Sequence, residues 1–433
     1  MSTSVVIPVR NQPGCLRWTL ASLAEQNEGV EDFEVVVVDD ASTDRTAAVA
    51  TSFADRVDLK LVHNATNRGR SSSRNLGAAR ASGDHLVFLD ADSRAPADLI
   101  ARHQRRHAER PQDIVIGRRI EMGWWTMNQL DRRQQVAPLP FEEDQRDSRG
   151  LGGGGIDYYA RTPWLFLATH NMSMPAELFG KVGGFDETLL GWGYEDNEFA
   201  YRVFRHFDRE AGHLWYDPDL VCYHMPHFRD WDREWQNTTS VLPYLKDKFR
   251  HYDIELLSHP PNHLRIAQTI PYYEQGIVYV AEQTDPTVLD EIAALVPATG
   301  GTQLWIGCGV GDRADAGPGV RAFDHSRPHT EDNYHLLGTF LPVPDGSLDA
   351  VVGVDLWRML SPTDLSSFVM ESLRVADHAY LAISRHIYDD DVHRIGLIAD
   401  AEYLLDMFGS RYAIDVVAES SRVTIVRVGS LSG

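Results

Sequence analysis

The stretch Asp84-His-Leu-Val-Phe-Leu-Asp90-Ala-Asp92 ends a short apolar run in two carboxylates separated by one residue. Leu86 to Leu89 reads as a buried strand. At a strand end, residues i and i+2 point to the same side, so both carboxylates can face one ligand. Two such oxygens at the mouth of a loop suit a hard divalent cation that also holds phosphates. The chemistry to expect is a nucleotide-diphosphate site. The plainer alternative is a pair of solvated turn residues.

The elements that would position these carboxylates alternate strand and helix. Ser4 to Pro8 is a short strand, and Leu16 to Gln26 carries Leu16, Leu20 and Leu23 at helical spacing. Phe33 to Val38 is a continuous apolar strand ending in Asp39-Asp40. Thr43 opens a helix, with Ser42 or Thr43 as its cap. Leu59 to Val62 is a third strand, Ser72 to Ala81 a helix, and Leu86 to Leu89 a fourth strand. Such alternation implies a parallel sheet with right-handed crossovers, whose ligands bind beyond the carboxyl ends of the strands. Pro8-Val-Arg10-Asn11, Asp39-Asp40 and Asp90-Ala-Asp92 all fall on that rim.

The chain of 433 residues predicts two or three domains, and its 43% hydrophobic content suffices for real cores. A formal charge of -22 disfavours nucleic acid or an anionic membrane as partner. Lysine occurs only at 60, 181, 246 and 248, a bias toward arginine that fits a high-GC bacterial genome. Cys15, Cys222 and Cys308 lack metal-ligand spacing and read as reduced intracellular thiols. No signal peptide and no membrane-spanning run is visible, so a cytoplasmic location is expected, with a homo-oligomer open.

Further along, residues 124 to 156 are polar and close in Gly150-Leu-Gly152-Gly-Gly-Gly155, as a lid or acceptor loop would. Trp164 to Met174 reads as a strand followed by a helix near Pro175. A glycine-rich turn, Gly191-Trp192-Gly193-Tyr194-Glu195-Asp196, leads into a helix from Phe199 to Phe207. Residues 228 to 300 read as a helical connector, with a helix around Trp231 to Phe249. A second αβ unit starts at Gln303.

Taken together, Val5-Val-Ile-Pro-Val-Arg-Asn11, Val37-Val-Asp39-Asp40-Ala-Ser-Thr-Asp44, Asn67-Arg-Gly69 with Ser73-Arg74-Asn75, Phe88-Leu-Asp90-Ala-Asp92 and the Gly191–Asn197 block resemble family 2 glycosyltransferases of the GT-A fold. The resemblance covers residues 4 to about 227. It implies a metal-dependent transfer from a nucleotide-diphosphate sugar, with UDP as the expected carrier, to a hydroxyl of a glycan, small-molecule or peptide acceptor. It places Pro8, Arg10, Asp39 and Asp40 against the base and ribose, without choosing between the two aspartates. Arg74 would face the phosphates, or else be a helix-surface arginine. Asp92 would ligate Mn²⁺ or Mg²⁺, with Asp90 toward the ribose or a metal-bound water.

Gly191-Trp-Gly-Tyr-Glu195-Asp196 resembles the Gly-Trp-Gly-x-Glu-Asp motif of β-1,4-galactosyltransferases and chondroitin-type polymerases. An inverting transfer needs a carboxylate beside the acceptor hydroxyl to take its proton. Asp196 is assigned that role, with Glu195 orienting the acceptor and Trp192 stacking on a sugar. A plain acidic helix start is the alternative. His224 follows Asp196 by 28 residues, near the spacing in the galactosyltransferase relatives, and is the expected third metal partner. His227 is the substitute, and His170 and Asn171 are lesser pocket candidates.

Leu304-Trp-Ile-Gly307-Cys-Gly309-Val-Gly311, Phe323-Asp324, Leu341 to Val352 and Glu371 to Val375 resemble class I S-adenosylmethionine-dependent methyltransferases. Asp324 would be the ribose-binding acid. It follows Gly309 by only 15 residues, fewer than the roughly 20 expected when a helix intervenes. Asp312 to Gly319 is a poor helix. The expectation is a shortened methyltransferase-like domain that does not use S-adenosylmethionine.

The organisation expected is therefore a GT-A domain over 1–227 with a Rossmann-like mixed sheet. A connector over 228–300 and a smaller methyltransferase-like α/β domain over 301–433 follow. Two other readings stay open: a bifunctional glycosyl- and methyltransferase, and a non-catalytic sugar-binding protein.

Overall fold

The computed structural model describes residues 2–26, 29–123, 161–191, 193–209, 211–228, 230–259, 261–297, 301–316, 319–388 and 396–430. The 124–156 segment and Trp192 lie outside them. The chain divides into two compact units, Met1–Val241 and Leu242–Gly433.

The first unit holds an eight-stranded mixed sheet. Its strands are β1 (Thr3–Val9), β2 (Phe33–Asp39), β3 (Leu59–His63), β4 (His85–Leu89), β5 (Ser93–Arg94), β6 (Ile114–Glu121), β7 (Asn171–Pro175) and β8 (Leu214–His224). They lie in the order β3-β2-β1-β4-β7-β6-β8-β5. β1 to β4 run parallel, as the alternation of strand and helix predicts, and β4 turns the sheet over by pairing antiparallel with β7. β1, β2 and β4 are buried along almost their whole length, which is why they read as unbroken apolar runs rather than alternating ones. Val5, Ile7, Val35, Val37, Val87 and Leu89 pack against Leu16 and Leu20 of the helix Pro13–Leu23.

The helix Gly69–Arg80 lies so close to the sheet that a Cβ on Gly77 would stand 2.4 Å from Val6 Cγ1. It begins three residues before the expected start at Ser72. The run Trp164 to Met174 is not one strand. Pro163–Phe166 forms a 3₁₀ turn, and strand β7 starts only at Asn171. Trp164, Leu165 and Phe166 are all buried, so their apolar character reflects a packed turn rather than a sheet face. A short helix, Ala176–Lys181, follows directly, as expected near Pro175.

The second unit has its own six-stranded sheet: β9 (Gln303–Gly307), β10 (Val320–Asp324), β11 (Leu348–Val354), β12 (Ala376–Ser384), β13 (Tyr412–Glu419) and β14 (Val423–Ser430). The order is β10-β9-β11-β12-β14-β13. The first four strands are parallel, and β14 then β13 close the edge as an antiparallel hairpin. Between β9 and β10 stands a 3₁₀ segment, Val310–Ala316, in place of an α-helix.

Candidate active site

The carboxyl ends of β1, β2 and β4 form the rim of the first sheet. The loops after β1 and β2 are clasped together. Asn11, at φ +51°, accepts at Oδ1 from Thr43 N (2.8 Å), and its own N–H donates to Ser42 Oγ (2.9 Å). Arg10 is exposed and Pro8 half-buried beside the clasp. Both aspartates after β2 are buried, but they are used differently. Asp40 accepts from Asn64 Nδ2 (2.8 Å), Arg68 N (2.8 Å) and Gly69 N (2.9 Å). It thus satisfies the first free N–H groups of the helix Gly69–Arg80, where a negative charge is favoured. Asp39 accepts from Ser42 N (3.0 Å) and from the half-exposed His63 Nδ1 (3.2 Å).

After β4 the chain passes through Asp90 and Asp92 into β5. Strand β5 pairs antiparallel with the end of β8, setting Ser93 opposite His224, and Met225 N donates to Asp92 O (2.7 Å). Sheet pairing thereby carries two histidines to the carboxylate. His227 Nδ1 lies 3.2 Å from Asp92 Oδ2, and His224 Nε2 lies 3.5 Å from Asp92 Oδ1. One donor atom from each of the three residues falls within 4.8 Å of the others. Burial works to raise the Asp92 carboxyl, but His224, His227 and Arg119 outweigh it and hold it at about 2. Asp92 Oδ1 is buried with no hydrogen-bond partner. An ionised, desolvated oxygen left without a donor is costly unless a cation completes it, so these residues fit a divalent metal. Both histidines weighed from the sequence belong to the cluster, rather than one in place of the other.

Arg74 departs from the helix-surface expectation. Its side chain is only 2% exposed, so it is no surface arginine, and it faces carboxylates. Its guanidinium lies 3.2 Å from Asp90, 3.4 Å from Glu195 and 3.5 Å from Asp196, and packs over the Phe185 ring. The short side chains of Ser71, Ser72 and Ser73 let this face of the helix go inside. Burial disfavours the Arg74 cation, but Asp196, Asp90 and Glu195 together raise its pKa further.

The acidic pair itself starts the helix Glu195–His206. Glu195 is buried and accepts from Gly193 N (3.0 Å) as well as facing Arg74, so it braces the turn. That engagement is at odds with the expectation that it orients an acceptor. Tyr194 sits in the left-handed region at φ +64°, a strained conformation for a side chain with a Cβ. A Cβ on Gly193 (φ +114°) would meet Thr238 Oγ1 at 2.6 Å, which explains the glycine. Asp196 stays 24% exposed. Its Oδ1 accepts from Thr169 Oγ1 (2.7 Å) and its Oδ2 from Thr169 N (3.1 Å). Burial first, then the Glu195 charge, push the Asp196 carboxyl up to about 6, against the pull of Arg74 and Thr169.

Two residues here carry no motif. Thr169 is the double donor to Asp196, and Glu121 Oε2 lies 2.6 Å from His224 Nδ1. Asn171, a lesser pocket candidate, instead braces the core through Leu220 O (2.8 Å) and His103 Nε2 (2.9 Å). His170 beside it is buried.

Residues 4–158 match the family described as glycosyl transferase family 2, and residues 158–209 match the N-terminal domain of galactosyltransferase. The chain is 38% identical over 218 residues to a validoxylamine A glucosyltransferase of Streptomyces hygroscopicus, covering 47% of this chain and 51% of that one. It thus spans about half the length of that relative. It is 30% identical to a PGL/p-HBAD biosynthesis glycosyltransferase of Mycobacterium bovis, covering 46% of this chain and 83% of that one. Among solved structures, S. aureus TarS in complex with UDP-GlcNAc aligns with a TM-score of 0.43 at 19% identity, over 57% of this chain and 66% of that one. No helix among the described residues is long and apolar enough to cross a membrane. Two adjoining family matches, a relative matched over most of its length and the motif residues gathered on one sheet rim together identify this chain as a member of glycosyltransferase family 2.

Proposed function

We propose that the first unit transfers a sugar from a UDP-sugar to an acceptor hydroxyl, with inversion, using a divalent metal and Asp196 as general base. The observation that carries this reading is that one buried guanidinium, Arg74, binds the strand-end Asp90 and the helix-start Asp196 within 3.5 Å. That arrangement supports a single site shared by a donor-side and an acceptor-side carboxylate. Asp92, His224 and His227 would hold the cation, Mn²⁺ or Mg²⁺. When bound, the cation supplies charge stabilisation to the leaving diphosphate. Asp39 has fewer protein donors than Asp40 and is the better acceptor for a base N–H, with Pro8 and Arg10 beside it.

The acceptor oxygen attacks the anomeric carbon as the carbon–oxygen bond to the diphosphate breaks, and its proton passes to Asp196. A carboxylate raised to about 6 suits that task near neutral pH. Thr169 and Arg74 fix its orientation, and its open quarter gives a path to the hydroxyl. The test is a thermal-shift panel of UDP-, GDP- and TDP-sugars, UDP-glucose included, with and without Mn²⁺. A rise in Tm with UDP-sugars that needs Mn²⁺ is expected. No shift with any nucleotide would overturn the reading.

For the second unit, the parallel strands with a closing antiparallel hairpin support the methyltransferase-like resemblance. The engagement of its residues argues against use of S-adenosylmethionine. Asp324, the would-be ribose partner, accepts from Gly309 N (2.9 Å), Gly311 N (2.8 Å), Ser326 N (2.9 Å) and Ser326 Oγ (2.6 Å). Over the glycine turn, Thr284 Cγ2 and Leu289 Cδ1 stand 2.9 and 3.0 Å from where a Cβ of Gly309 would be. Calorimetry with millimolar S-adenosylmethionine is expected to give no heat of binding. A measurable heat would favour the bifunctional alternative.

A further inference from the structure

We propose that Glu121 is a positioning residue for the metal site, setting the tautomer of His224 so that its Nε2 lone pair faces the cation. The inference rests on the metal reading above and adds a residue that the motifs do not contain. Glu121 is the last residue of β6, and its direct partner in the parallel ladder with β8 is His224. Met122 N donates to His224 O (2.9 Å), which locks that register. Side chains at opposed positions on neighbouring strands meet, and here they meet as Glu121 Oε2 and His224 Nδ1 at 2.6 Å.

An ionised carboxylate can only accept, so the short contact requires the proton on Nδ1. In neutral imidazole Nε2 is then bare. It lies on the side of the ring that faces Asp92 Oδ1, the buried oxygen without a donor. Arg119 also approaches it, with its guanidinium 3.4 Å from the same Nδ1. That group is itself paired with the Glu121 carboxylate, so it anchors Glu121 rather than displacing it. A carboxylate behind a ligating histidine fixes ring orientation and raises ligand basicity, and its loss weakens metal binding by about 10–100-fold.

The test compares wild type, Glu121→Ala and Glu121→Gln in two measurements. The first titrates Mn²⁺ and follows the free-ion paramagnetic resonance signal. The second records imidazole nitrogen–proton correlation spectra of the metal-free proteins at alkaline pH, where the His224 ring is neutral and carries a single proton. Wild type is expected to bind Mn²⁺ and to show His224 protonated at Nδ1. Glu121→Ala is expected to bind Mn²⁺ about 10–100-fold more weakly and to lose that tautomer. Glu121→Gln keeps the side-chain shape and an acceptor oxygen, guards against a folding defect, and should lose less. Mn²⁺ affinity equal to wild type in both variants, or a wild-type His224 protonated at Nε2, overturns the proposal. If wild type itself fails to bind Mn²⁺, the metal reading falls too. The tautomer spectrum, taken without metal, tells that failure from the other.

Discussion

Asp92 and Asp324 hold equivalent places in two different sheets. Each stands at or just past the carboxyl end of a parallel strand and each is buried, Asp92 as an expected metal ligand and Asp324 as an expected ribose-binding acid. Their surroundings are opposite. Asp92 keeps one oxygen buried without a donor and faces two imidazoles. Asp324 is satisfied by four donors from its own unit, two of them the glycine-turn amides that a cofactor would otherwise approach. A strand-end acid is thus evidence of a ligand only when the fold leaves it unsatisfied. The same motif can become a structural clasp once a shortened loop brings the amides to it.

Substitution should separate the two aspartates sharply. Asp92→Ala is expected to lower turnover on the order of 10²–10³-fold and to abolish the Mn²⁺-dependent rise in Tm. Asp324→Ala should leave turnover per folded molecule unchanged and cost about 2–4 kcal/mol in stability, measured by urea unfolding, because buried amides lose their acceptor. An Asp324 variant with normal stability would end the contrast.

A second way to sharpen it uses pH. With the Asp196 carboxyl raised from 3.8 to about 6, the fraction able to accept a proton falls as pH drops through 6. The rate should therefore fall about tenfold per pH unit below that point and level off above it. Arg74 pulls this carboxyl down, so Arg74→Met should move the acid limb to higher pH in a pH–rate profile. A limb that stays in place would argue that Arg74 is only structural.

The smallest effect is on stability in acid. Burial holds His103 down at about 4, and burial with His85 and His103 nearby holds His107 at about 3, both in the first unit. Burial, with His335 nearby, holds His325 of the second unit at about 3. All three are neutral when folded and protonate near 6.5 when unfolded. Their contribution is intact above 6.5 and is lost as pH falls from there toward the folded values. Each lowers stability as pH falls through that window, because the unfolded chain binds a proton that the folded one does not. Replacing His325 with Gln should flatten the pH dependence of the second unit's unfolding, followed by denaturant midpoints across the window.

Much of the site was legible because its parts are local. The strand-end pair Asp90 and Asp92, the aspartates after β2 and the Glu195-Asp196 turn each announce themselves by spacing and flanking glycines. The parallel half of the first sheet was legible because β1, β2 and β4 are continuous apolar runs. What escaped depends on distant partners. Glu121 meets His224 only through the β6–β8 register, and no spacing along the chain encodes it. Thr169 precedes β7 and gains its role from Asp196, which lies on another element. Arg74 itself is named from its motif, but its burial among three anionic partners is not legible there, because they converge from other segments. The turn at Pro163–Phe166 reads as strand because buried turns and buried strands share an apolar composition.

Asp92, with His224 and His227, is proposed to hold the cation through which the donor binds. Calorimetric titration of UDP into wild type and Asp92→Ala, with Mn²⁺ present and with Mn²⁺ removed by chelation, tests it most directly. Binding is expected only to wild type and only with Mn²⁺. Equal UDP affinity without the metal, or in the Asp92 variant, would contradict it.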